Sequence, residues 1–124
     1  MLTDAPLMAF IATADPARAR AFYEGVLGLR FAADEPFALI FDCAGTTLRV
    51  QKVPAVTPAP FTALGWVVDD MAAAVDGLAA RGVAFERFPG MPQDERGVMV
   101  FGDGARVAWL KDPDGNLLSV TQVP

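Results

Sequence analysis

The sequence predicts an α+β chain built from two βαβββ modules. Three observations carry that expectation. The order strand, helix, three strands can be read twice along the chain, and the two halves align on each other. The 124 residues, 53% hydrophobic and 20% charged, also have the make-up of one globular domain rather than a disordered chain. The expected organisation is a single domain over 1–124, with a first module at about 6–53, a linker at 54–60 and a second module at about 61–124.

Leu7 to Thr13 is a short apolar run rich in strand formers. Asp15 follows as a helix N-cap, and Pro16 falls in the first turn, where the missing N–H costs nothing. Ala19, Phe22, Tyr23 and Val26 recur at helical spacing and give one apolar face. Gly28 supplies a left-handed exit. Leu29–Ala33, Phe37–Asp42 and Thr46–Val53 read as three strands, with Ala44-Gly45 as a hairpin turn between the last two.

Pro54 to Pro60 holds three prolines in seven residues and is an extended connection, since proline cannot donate to a sheet ladder. Beyond it, Thr62–Val68 reads as a strand, and Asp69-Asp70 caps a helix that carries Met71, Ala74, Val75 and Leu78 on one face. Gly82 closes that helix, and Val83–Phe88 resumes an extended run. Val98–Gly102, Ala105–Leu110 and Leu117–Gln122 complete the second set of strands. Pro89 to Gly97 is a polar loop that stands as the candidate for a mobile flap, with Asp94-Glu95-Arg96 as a solvated face. Placing Asp15 over Asp70 brings Tyr23 over Leu78. A one-residue gap then puts Gly28 over Gly82 and Phe31 over Phe85.

Composition excludes several function classes. There is no histidine, which removes Ser-His-Asp and Cys-His catalysis, the two-histidine zinc helix and any imidazole proton shuttle. The net charge of −5 argues against broad nucleic-acid binding. The single cysteine, Cys43, rules out an intrachain disulfide framework and, with no base beside it, reads as an inert thiol. No apolar run approaches the ~18 residues of a membrane span, so no membrane partner is expected and a cytoplasmic location is the default expectation.

Two segments carry a family resemblance: FYEGVLGLRF, Phe22 to Phe31, after the first strand and helix, and KDPDGNLLSV, Lys111 to Val120, near the end. With paired βαβββ modules, they resemble the vicinal oxygen chelate superfamily of glyoxalases, bleomycin-resistance proteins and extradiol dioxygenases. Neither segment is chemistry in itself. Phe22 and Tyr23 pack a helix, and Asp112-Pro113-Asp114-Gly115-Asn116 has the side chains of a tight turn.

The resemblance implies that the modules curl their mixed sheet into a cup, and that metal-dependent relatives hold an ion with one residue from each of four strands, usually His, Glu or Gln. The matching positions here are Met8, Arg49, Ala63 and Ser119, with Gln51 replacing Arg49 if the fourth strand slips by two residues. A thioether, a guanidinium, a methyl and a hydroxyl make no site for a divalent ion, so no metal and no other cofactor is expected. Strand alternation from these positions gives an inward set of Met8, Phe10 and Ala12, then Thr47, Arg49 and Gln51, then Ala63, Gly65 and Val67, then Leu117, Ser119 and Thr121. Trp109 stands where ring-cleaving relatives carry a functional aromatic, whereas Trp66 is expected under a helix.

The expected ligand-binding residues are therefore Met8, Phe10, Arg49, Gln51, Ala63, Trp109 and Ser119, and no residue is assigned a catalytic role. Arg49 needs an anion, either a neighbouring carboxylate such as Glu95 or one on a ligand. The expected function is metal-independent binding of a small molecule, a drug or metabolite, by a homodimer of the bleomycin-resistance type. The alternative is a lyase, isomerase or dioxygenase of the same superfamily with a relocated site.

Overall fold

The computed structural model describes residues 1–124. Their contacts divide into two compact units, Met1–Thr57 and Pro58–Pro124. The proline-rich connection is thus shared between them.

The first unit contains β1 (Met8–Thr13), α1 (Pro16–Arg20, continuing as a π-helical segment over Ala21–Val26), β2 (Arg30–Asp34), β3 (Ala38–Cys43) and β4 (Thr46–Lys52). The sheet order is β1-β4-β3-β2, with β1 parallel to β4 and the other pairs antiparallel. Asp15 caps the helix as expected, its carboxylate accepting from Arg18 N at 3.2 Å. The widened second half is sealed by a bond from Leu27 N to Phe22 O at 2.9 Å, and Gly28 exits with φ of 72°. A π-turn takes in one residue more than an α-turn. It therefore explains the one-residue gap that the alignment of the halves requires before Gly28.

Alternation decides what each strand face meets. Ile11, Thr13, Leu39, Phe41, Leu48 and Val50 are buried on one side with Ala19 and Tyr23 of the helix. Tyr23 is fully buried and sits 5.2 Å from the Phe22 ring and 5.9 Å from that of Phe41. Burying aromatic surface of this kind contributes roughly 2–3 kcal/mol per side chain.

The second unit contains β5 (Leu64–Val67), α2 (Met71–Ala80), β6 (Met99–Val100), β7 (Arg106–Lys111) and β8 (Leu117–Gln122), in sheet order β5-β8-β7-β6. Asp70 caps α2 by accepting from Ala73 N at 3.1 Å. Gln122 satisfies a second orphan donor of the same helix end, its Oε1 accepting from Met71 N at 2.7 Å. Met71 and Val75 bury against Ala108, Val120 and Val98, with Val68, Leu78 and Phe85 around them. Trp66 pairs across the sheet with Val120 and so lies on the helix side, as expected from its alternation with Gly65.

Two segments between α2 and β6 are held by side chains rather than by a ladder. Val83–Phe88 runs on without forming a ladder and meets β7 through a backbone bond from Glu86 N to Trp109 O at 2.8 Å. The Gln93 side chain replaces a ladder there. It accepts from Phe88 N at 2.7 Å and donates to Glu86 O at 2.9 Å and Gly97 O at 2.8 Å. The Pro89–Gly97 loop is tethered as well. Asp94 accepts from Arg96 N and Val98 N, Arg87 donates to the carbonyls of Asp94 and Glu95, and Arg96 pairs with Asp76 at 3.2 Å.

Candidate binding surfaces on the open sheet faces

Each sheet has one face turned away from its helix, and the expected site residues lie on those faces. In the first unit the registered rows are Met8–Thr47–Asp42, Phe10–Arg49–Ile40 and Ala12–Gln51–Ala38. Phe10 is 51% exposed and Met8 47%, large apolar side chains that the unit leaves uncovered. Arg49 lies between Phe10 and Ile40 with its side chain 28% exposed.

The anion beside Arg49 is Glu35, whose Oε1 lies 3.2 Å from Nη1, rather than Glu95. Sequence reasoning missed this residue because β2 carries a bulge. Phe31 pairs with Phe41 on the helix side, and strict alternation would send Ala33 to that side too. The register shifts between Phe31 and Ala33, so Ala33 pairs with Ile40 and joins the Arg49 row. Glu35, two residues on, then reaches the guanidinium. Lys52 is held in the same way by Asp34 and the Glu35 carbonyl. These are exposed pairs, each worth at most about 1 kcal/mol.

In the second unit one row runs Gly65–Ser119–Trp109. Ser119 is 8% exposed, and a methyl at position 65 would sit 2.6 Å from its Oγ. Gly65 is therefore a close-approach glycine that makes room for the hydroxyl. Ala63 immediately precedes β5 and donates its N–H to Leu117 O at 2.9 Å. Trp109 is half-buried and meets the edge of Phe88, ring centroids 5.3 Å apart at 88°.

At the head of β8, the Asp112–Asn116 segment forms a tight turn. Asp112 Oδ1 accepts from Asp114 N at 3.0 Å and Asn116 N at 2.9 Å, and its Oδ2 accepts from Asn116 Nδ2 at 2.9 Å. Gly115 holds φ of 88°.

A family model described as the glyoxalase/bleomycin resistance protein/dioxygenase superfamily matches residues 6–120. The chain belongs to this superfamily. Among solved structures it is similar to an antibiotic-binding protein, TnmS3, from a Streptomyces species, at 25% identity and TM-score 0.74, covering 100% of this chain and 99% of that one. It is also similar to lactoylglutathione lyase from Agrobacterium tumefaciens, at 20% identity and TM-score 0.71, covering 96% and 93%. A superfamily member from Sphaerobacter thermophilus matches at 22% identity and TM-score 0.75, covering 98% and 99%. No curated protein sequence matches the chain.

Metal-dependent members of the superfamily raise the question of whether these residues suit an ion. They do not. Met8 offers a thioether and Ala63 only a methyl, while Arg49 is a cation whose nearest anion is already bonded to it. Ser119 is a neutral hydroxyl held close to Gly65. No three His, Cys, Asp or Glu side chains in the chain converge into a group that could hold a metal ion. No helix is long and apolar enough to cross a membrane.

Proposed function

We propose that this superfamily member binds a small organic molecule on its open sheet faces without a metal ion. The observation that carries this reading is the Phe10–Arg49–Ile40 row, in which an exposed aromatic flanks a guanidinium at a position unable to ligate a cation. Exposed apolar surface beside a few polar groups suits recognition by shape and stacking. The similarity to an antibiotic-binding protein over the whole chain supports the same reading. The expected lining is Met8, Phe10, Arg49 and Gln51 in the first unit and Ala63, Trp109 and Ser119 in the second. A cytoplasmic homodimer remains the proposed state. Light scattering then gives twice the 13.1 kDa chain mass.

Titration calorimetry with metal-free bleomycin, in buffer containing a chelator, tests the reading. The expected result is a saturating heat that Phe10→Ala weakens by about tenfold, the loss of one aromatic contact. Binding that appears only when a divalent ion replaces the chelator overturns it. The absence of any heat removes glycopeptides, and the same comparison then applies to aromatic antibiotics.

A further inference from the structure

A cavity of about 360 Å³ lies within the second unit, lined by Pro58, Ala59, Pro60, Phe88, Lys111, Gly115 and Leu117. This volume falls at the small end of the range for organic ligands. Part of its wall is tied to the fold. Phe88 is anchored by its N–H to Gln93 and by its ring to Trp109, and Leu117 and Lys111 are a registered pair of β8 and β7. The left-handed Gly115 lies so close to Pro58 that a methyl there would come within 3.2 Å of Pro58 Cγ. The end of the proline-rich connection thus forms one side of an open hollow beside the turn.

Among the lining side chains only Lys111 is polar, and in a chain of net charge −5 it is a cation. Lys111 Nζ is 3.5 Å from Glu86 Oε1, beyond good hydrogen-bond length, and the lysine side chain is 54% exposed. Its exposure leaves it room to turn toward a guest. A pair this long, with its lysine end half-exposed and its Glu86 end 29% exposed, competes poorly with a charge-assisted bond to an anion seated against apolar walls.

We infer that this cavity binds a small organic anion with a flat apolar body, the carboxylate on Lys111 and the body against Phe88 and the prolines. The site shares only Leu117 with the inward set expected from the sequence, so it stands or falls separately from the Arg49 reading.

Amide chemical-shift titration with 2-naphthoate tests the inference, with neutral 2-naphthamide and cationic 2-naphthylmethylamine as comparators. The naphthoate is expected to shift Phe88, Lys111, Gly115 and Leu117 saturably. Lys111→Met, which keeps the apolar stem, then weakens it by about tenfold while leaving the amide's binding unchanged. Arg49→Met is expected to leave the shifts at Phe88, Lys111, Gly115 and Leu117 unchanged, whatever it does at the Phe10–Arg49–Ile40 row. Equal binding of acid and amide to the native chain, or tighter binding of the amine, overturns the inference. So does binding lost in Arg49→Met and kept in Lys111→Met, which would leave the open-face reading standing.

Discussion

Ala44 holds φ of 50° in the two-residue turn between β3 and β4, and Gly45 beside it holds 91°. Both central residues of such a hairpin need positive φ, and alanine pays a steric cost there that asparagine largely avoids. Ala44→Asn is expected to raise stability by about 0.5–1 kcal/mol in urea unfolding. At the other special position, Gly65→Ala pushes a methyl against Ser119 Oγ. A cost of about 1 kcal/mol follows, and most of it disappears when Ser119→Ala is made in the same chain. A cost that persists in the double variant would mean that the backbone of β8, not the hydroxyl, limits position 65.

The elements divide into those whose signals are local and those whose signals are not. Both helices are marked by Asp15 or Asp70 before and by Gly28 or Gly82 after, and each marker performs its expected bond or turn. The strand faces were legible for the same reason, because alternation from Met8, Arg49 or Ser119 needs no partner to be known. The bulge in β2 was not legible, since nothing in Arg30–Asp34 announces where its pairing slips, and with it Glu35 escaped notice. Gln93 was likewise invisible: a polar residue in a Pro/Gly-bearing loop looks solvated, yet its amide makes three bonds that stand in for a strand partner. Gln93→Ala removes them and is expected to cost about 2–3 kcal/mol. Hydrogen exchange at Phe88 should quicken while β7 and β8 stay protected. Unchanged exchange at Phe88 would show that the loop is held by Asp94 and Arg87 alone.

For the whole molecule, family membership fixes a fold that metalloenzymes and binding proteins share, so the decision between them rests on side chains. Here the chemistry of Met8, Arg49, Ala63 and Ser119 does not suit an ion, and the proposed metal-free binding rests on that. The most direct measurement is a calorimetric titration of manganese, nickel and zinc into the purified chain, followed by elemental analysis after gel filtration. No saturable one-to-one heat and no retained ion is the predicted result. One tightly held ion per chain, displaced by substituting residues of the Arg49 and Ser119 rows, would contradict it.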